Sequence, residues 1–313
     1  MARYRFIGRR VLQLIPVLFG ITVVTFFLLR LIPGDPALQI LGQHYTKASA
    51  LEVRHALGLD RPLWRQYLLF VQHLFQGNLG ESITFKQSAG SVIAERLPPT
   101  LFLVAYATTV ATIVSVPAGV VSALRRGGLF DQTARVTTLV GFAMPGFWLG
   151  IILILIFSIH LQVFPVNGYG KTFTAHLDHL FLPALTIALG FSTILIRTLR
   201  SSTLAALESD YVDTARIKGI SRLAVLRRHV LRNAIVSVVV VFGINLAYLI
   251  SGTVIIENVF GIPGVGSLLI DSVSTRDYPV VQGVTLVFAV LVVAINLLTD
   301  LVHASLDPRV VLE

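Results

Sequence analysis

Residues Ala234–Ile256 read AIVSVVVVFGINLAYLISGTVII, 23 residues with no Asp, Glu, Lys or Arg. A helix rises about 1.5 Å per residue, so roughly 20 apolar residues cross a hydrocarbon core of about 30 Å. This one stretch is therefore long enough to span a membrane. Five more charge-free stretches match it: Val11–Leu29, Thr100–Leu124, Val136–Ile159, Leu180–Ile196 and Val280–Leu298. Inside lipid every backbone polar group must be paired, which leaves helices or closed barrels. The ten-residue alternation that marks a barrel strand does not occur, so the expected fold is an all-α membrane protein with six transmembrane helices.

Composition agrees. Of 313 residues, 55% are hydrophobic and only 13% are charged, about half the charged fraction of soluble domains. Mean hydropathy is +0.80. The net charge of +9 could suggest nucleic acid, but that reading needs a soluble fold with a basic face. The chain has no cysteine, which removes disulfides, thiol nucleophiles and Cys-ligated metals together. Arg3, Arg5, Arg9 and Arg10 precede Val11–Leu29 in the manner of a signal peptide. That run is longer than an h-region of roughly 7–15 residues, so it reads as a retained first span.

Six spans put both termini on one side, and basic residues select the cytoplasm. With cytoplasmic termini the inner segments carry 16 basic and 7 acidic residues, and the outer ones 9 and 9. Half of the inner basic residues fall on one loop, 197–233. The organisation expected is a tail and first span (1–30), an extracytoplasmic segment (31–98), and a five-helix core (99–313) containing that loop. The 31–98 segment carries Pro62–Phe75, where Trp64, Tyr67, Leu68 and Val71 recur at helical spacing. It reads as a cap on the spans or a docking surface for an external partner.

Within the inner loop, Leu204, Leu207, Tyr211 and Ala215 form a helical stripe with Asp210, Asp213 and Arg216 off it. Gly219 supplies a stop, and Ser221 can cap a second short helix with Leu223, Leu226 and Val230 as its stripe. A helix–Gly–helix unit with Arg227, Arg228, His229 and Arg232 on its polar face is either an interfacial element or a socket for a soluble partner.

Asp213-Thr214-Ala215, three residues, Gly219, nine residues, then His229-Val230-Leu231 resembles the EAA loop of bacterial ABC importer permeases. Asp210–Gly219 and Arg228–Ala234 are most similar to the dipeptide/oligopeptide/nickel branch, B-type subunit. The same resemblance runs through Arg9-Arg10, Pro33-Gly34-Asp35-Pro36, Leu57–Pro62, Glu95-Arg96-Leu97-Pro98, Arg276–Gly283 and Leu306-Asp307-Pro308-Arg309. His229 and Arg232 replace the Ile and Pro of the general EAA pattern, as is usual in that branch, and position 213 is acidic where the branch often carries a basic residue.

The resemblance implies a type I ABC importer permease fold with an extracytoplasmic insertion after the first helix, in a prokaryotic inner membrane. It implies a second, C-type permease subunit, two cytoplasmic ATPases that bind ATP and Mg, and an extracytoplasmic substrate-binding protein. No cofactor on this chain and no nucleic acid are implied. Asp213, Thr214, Ala215, Gly219, His229, Leu231 and Arg232 would then couple ATPase closure to translocation of a dipeptide or oligopeptide, with nickel or glutathione carried by relatives.

Other chemistry has little support in the sequence. Gly170-Lys171-Thr172 mimics the end of a P-loop, but Pro165 stands where the first glycine is required. Gly261, Gly264 and Gly266 read as a tight turn or short re-entrant element outside span five. His176 and His179 with Asp178 read as a solvated loop rather than a metal site. Pro99 reads as the start of a helix, where its missing N–H is tolerated, and Pro16, Pro117, Pro145 and Pro183 as kinks. An ion-driven carrier would place ionisable residues within its spans, and these spans have none. Uncharged candidates for a pathway are Asn245, Tyr248 and Ser251 on span five and Gln282 and Asn296 on span six.

Overall fold

The computed structural model describes residues 2–31, 41, 46–56, 58 and 60–306. The motifs Pro33–Pro36 and Asp307–Arg309 lie outside the described residues. Among the described residues the chain is helical, with a lone antiparallel bridge between Glu81 and Ser88. We label the helices α1 (Ala2–Leu31), α2 (Lys47–Ala56), α3 (Leu63–Phe75), α4 (Ala89–Leu124), α5 (Leu129–Ala143) and α6 (Gly146–Leu153). They continue as α7 (Phe173–Leu207), α8 (Asp210–Ile217), α9 (Arg222–Val225), α10 (Arg232–Val259), α11 (Val265–Ser274) and α12 (Tyr278–Leu306).

Among the described residues four helical stretches are long and apolar enough to cross a membrane: Ala89–Leu124, Phe173–Leu207, Arg222–Val259 and Tyr278–Leu306. The first expected span lies on α1, whose apolar core is Leu12–Phe27. The third, Val136–Ile159, is not one straight helix. Met144 turns extended (φ −85, ψ 128) and the chain restarts at Gly146 after Pro145, with a bend of 104° between the two halves. Proline disfavours helical backbone in the residue before it and has no N–H to continue the ladder. Pro145 thus breaks its span, whereas Pro16, Pro117 and Pro183 lie inside unbroken helices.

Two further boundaries differ from the sequence reading. α4 starts at Ala89, so Pro98 and Pro99 sit inside it rather than at its start. The added turns are held by packing: Ala89, Val92 and Ile93 share a buried cluster with Val265, Leu268, Val280 and Val284. The second short helix of the inner loop is likewise not separate. α9 runs through a π-helical turn, Leu226–Leu231, directly into α10. Nothing between Arg222 and Phe242 is Gly or Pro, so the sequence contains no stop.

The centre of the bundle is α4, α7 and α10, which meet around Val104, Ala111, Ala188, Phe191, Leu195, Leu249 and Ile250. α12 packs on α10, and α1 on α12. Lipid tails are as apolar as leucine, so close backbone approach through small residues holds such helices together. At Gly243 the approach of α12 is so close that a Cβ would lie 2.1 Å from the Thr299 side chain.

Candidate functional site

α7 continues 11 residues past Ile196 to Leu207, and α8 then starts after a turn at Glu208-Ser209. Val212 and Ala215 of α8 are buried with Ala206, Val225 and Val230. This small core fixes the loop against the inner ends of α7 and α10. α8 ends in two reverse hydrogen bonds, Gly219 N–H to Arg216 O (2.9 Å) and Ile220 N–H to Ala215 O (3.2 Å). That pairing is the Schellman closure, which requires a left-handed residue, and Gly219 has φ +75. A Cβ there would meet nothing within 4 Å, so glycine is needed for its backbone alone.

Each stripe departs from the sequence reading at one residue, while Ala215 and Val230 are buried as expected. Tyr211 and Leu223 point outward, while Val212 and Val225 point in. The turn at Glu208-Ser209 resets the helical phase, so a stripe counted from Leu204 through the turn does not carry over. The Ser221 hydroxyl makes no cap bond, and only its carbonyl is used, by Val225 N–H at 2.9 Å. Tyr211, Ile217, Ile220 and Leu223 are therefore exposed apolar groups. Around them lie exposed Asp213, Thr214, Arg216 and Arg232, with an Arg216–Asp213 ion pair at 2.9 Å. His229 and Leu231 are half-buried at the α9–α10 junction. The outer surface of the loop thus exposes apolar and charged groups together.

Behind it is a feature that sequence reasoning missed. Asp131, in the first turn of α5, is fully buried and accepts Arg200 Nε at 2.6 Å and Nη2 at 2.9 Å. Ser122 Oγ donates to it at 2.6 Å and Gly127 N–H at 3.0 Å. The fork-to-fork geometry is the strong form of a charge-assisted bond. The Arg200 guanidinium, helped by Ser122 and Gly127, holds the Asp131 carboxyl below the usual carboxylate range against the opposing effect of burial. One side chain therefore clamps the α4–α5 turn to α7, two turns before the loop. Its signal in the sequence was faint: Gly127-Gly128 followed by an acidic residue at a helix start.

A second buried carboxylate organises the opposite end. Glu257, at the end of α10, accepts Thr100 Oγ1 at 2.6 Å, Gly266 N–H at 2.7 Å and Ser267 N–H at 3.0 Å. Val265 N–H donates to Thr100 Oγ1 at 2.8 Å. Three orphan N–H groups at the start of α11 are thus capped by side chains from α4 and α10. Gly261 and Gly264 form the turn into α11, a short apolar helix whose first turn holds Gly266. Asp277 is buried at the α11–α12 turn and ties down the 82–84 loop through Ser82 Oγ and, at 3.0 Å, Thr84 N–H.

The pathway candidates are not brought together by any hydrogen bond among the described residues. Asn245 is half-buried and donates to Val241 O on its own helix at 2.7 Å. Tyr248 is 74% exposed and Ser251 is exposed. Gln282 is half-buried and Asn296 exposed. Tyr248 and Ser251 share an open face of α10 with Ile244 and Ile255. His176 and His179 lie with Nδ1 2.7 Å from the carbonyls of Tyr169 and Asn167, which orders the loop before α7.

A family model described as binding-protein-dependent transport system inner membrane component matches residues 115–312. Its N-terminal companion, described as a membrane component of the same transport systems, matches residues 3–104. The chain is 40% identical to a di/tripeptide transport system permease protein, DppB, of Pseudomonas aeruginosa, over 97% of this chain and 98% of that protein. It is 39% identical to the oligopeptide transport system permease protein AppB of Bacillus subtilis, over 99% of each. Identity to the dipeptide transport system permease protein DppB of Escherichia coli is 36%, over 98% of each. Among solved structures, a chain of the MetNI methionine ABC transporter in an inward-facing conformation superposes with a TM-score of 0.58 at 15% identity, covering 69% of this chain and 96% of that one. An amino acid ABC transporter gives 0.53 at 16% identity, covering 69% of this chain and 94% of that one.

Proposed function

Because the chain belongs to the family of binding-protein-dependent transport system inner membrane components, we propose that it imports dipeptides or oligopeptides as the B-type permease of a heterodimeric ABC importer. It is a membrane permease subunit and not itself an enzyme. The peptide substrate rests on the relatives: proteins 36–40% identical over nearly their whole length carry peptide-transport names. ATP and Mg belong to two cytoplasmic ATPase partners. A C-type permease completes the pathway, and an extracytoplasmic binding protein delivers the peptide. Both termini are cytoplasmic, in agreement with the basic residues of the inner segments.

The observation that carries the coupling role is the loop itself. Its inner face is fixed to α7 and α10 by Val212, Ala215, Val225 and Val230, and its outer face leaves Tyr211, Ile217, Ile220 and Leu223 exposed. An ATPase cleft receiving that face pulls on a body continuous with α10, so closure reaches the membrane as a rigid-body movement. In this reading Asp213, Thr214 and Arg232 lie at the contact, Ala215 and Leu231 hold the loop to its spans, His229 stands at their junction, and Gly219 sets the angle between α8 and α9. Tyr248 and Ser251, on the open face of α10, are the first pathway candidates. Asn245, Gln282 and Asn296 follow them. Peptide uptake by proteoliposomes carrying the full complex tests the reading. It should require ATP, stop with vanadate and survive ionophores. Uptake that ionophores abolish and ATP does not support would favour an ion-coupled carrier.

A further inference from the structure

α3, LWRQYLLFVQHLF over Leu63–Phe75, lies in the segment between the first two spans. Successive residues on a helix turn by about 100°. Plotted that way, Phe70, Leu63, Leu74, Tyr67, Val71, Trp64, Phe75 and Leu68 occupy one continuous apolar arc, and Gln72, Arg65, His73 and Gln66 lie on the other side with Leu69 among them. Among the described residues only part of the arc has a partner. Tyr67 sits between Phe19 and Phe26 of α1, with ring centroids at 6.2 and 5.3 Å, and Phe70 is 5.8 Å from Phe26. The Tyr67 hydroxyl is 2.8 Å from Thr22 Oγ1. Among the described residues the rest is uncovered: Trp64 is 59% exposed, Leu68 57% and Phe75 89%, and Leu63 is exposed too.

Depth decides what covers it. Thr22 is five residues inside the outer end of the apolar stretch Leu12–Phe27, or about 7.5 Å below it. α1 in turn packs on the membrane-crossing α12. Tyr67 is therefore held at the depth of the outer leaflet. An amphipathic helix at a membrane interface buries its apolar face about 5–10 Å into the boundary between headgroups and acyl chains. α1 likewise leaves apolar residues uncovered, among them Val17, Phe19, Val24 and Phe27, all exposed. Arg61 and Arg65 are basic, Asp60 aside no acidic residue lies between 60 and 75, and the Arg65 guanidinium stands 5.1 Å from the Trp64 ring centroid. Tryptophan marks the headgroup level, and arginine can lay its stem on apolar surface while its charge stays in the polar layer.

We propose that α3 is seated in the outer leaflet, with Trp64, Leu68 and Phe75 against acyl chains and Arg61 and Arg65 at lipid phosphates. The segment after the first span is then partly a membrane-embedded collar, rather than wholly a cap in water. The proposal rests on α1 as a span and not on the transported substrate.

The absence of cysteine in this chain makes the test direct. Single cysteines at Leu68, Phe75, Gln72 and Val17 are each labelled with an environment-sensitive fluorophore. The labelled complex, built with cysteine-free partner subunits, is placed in phosphatidylcholine/phosphatidylglycerol vesicles, and uptake is measured on the same vesicles. Labels at Leu68 and Phe75 should lose emission to brominated acyl chains and be untouched by aqueous iodide, with Gln72 showing the reverse and Val17 following Leu68. Iodide quenching at both Leu68 and Phe75 without bromolipid quenching overturns the proposal. So does shielding of those labels only when the binding protein or second permease is added, which would make the face a protein contact. A Val17 label quenched by iodide overturns it at its premise, while intact uptake would leave the transport reading standing.

Discussion

Replacing Asp131 with Asn should weaken the protein by about 3 kcal/mol, the lower end of the range for breaking a buried ion pair. The carboxylate meets four donors: Arg200 Nε and Nη2, Ser122 Oγ and Gly127 N–H. An Asn amide can present oxygen to only one of the two donor pairs. Its NH₂ then faces the other, and the best placement sets it against Arg200 Nε–H, because the Ser122 hydroxyl can rotate away. The Arg200 side chain is 21% exposed, so it recovers some hydration, which keeps the loss from the upper end. At about 2 °C per kcal/mol, thermal inactivation in detergent should fall by roughly 6 °C.

The double variant Asp131→Asn/Arg200→Met removes the stranded charge and should recover more than half of that loss. The sign with pH follows from the lowered carboxyl. Its stabilisation is complete above the unfolded value of about 3.9 and fades only as pH falls through the lower folded value. The clamp should therefore be indifferent to pH between about 5 and 8. A single variant with an unchanged midpoint, or a double variant no better than the single, would show that the pair does not carry this load.

Two further outcomes are expected. Gly243→Ala forces a Cβ into the Thr299 side chain and should destabilise by about 1–3 kcal/mol, with Thr299→Gly restoring much of it, read as folded yield and inactivation midpoint. Glu257→Ala strips the acceptor from Gly266 and Ser267 N–H and should cost about 1–3 kcal/mol. Hydrogen exchange at those two amides should rise, while amides in α8 stay protected.

Four of the six expected spans were legible as membrane-length helices, because length and absence of charge are local properties. Helix ends were not. The charges of Arg197 and Arg200 end the apolar run at Ile196 without ending α7, since neither residue breaks a helix. Gly219 was visible because a stop at the end of a stripe has a local cause. The choice of Val212 over Tyr211 as the inward residue was not, because it depends on a turn that resets the phase. Asp131 and Arg200 are 69 residues apart in sequence, and Thr100 and Glu257 are 157 apart. Pairings of that kind depend on how the helices pack, which periodicity does not report. The Pro145 break shows the reverse case, a local signal that proved stronger than the kink expected of it.

The central claim is that the bend at Gly219 passes ATPase closure into α10. Simultaneous measurement of peptide uptake and ATP hydrolysis in proteoliposomes tests it most directly, comparing the native chain with Gly219→Asn and Gly219→Val. Nothing crowds a Cβ at this site, so only the left-handed backbone opposes substitution, and Asn adopts that conformation far more readily than a β-branched residue. The account predicts that Gly219→Asn keeps most uptake, while Gly219→Val keeps hydrolysing ATP without importing peptide. Normal uptake per ATP in Gly219→Val would contradict it.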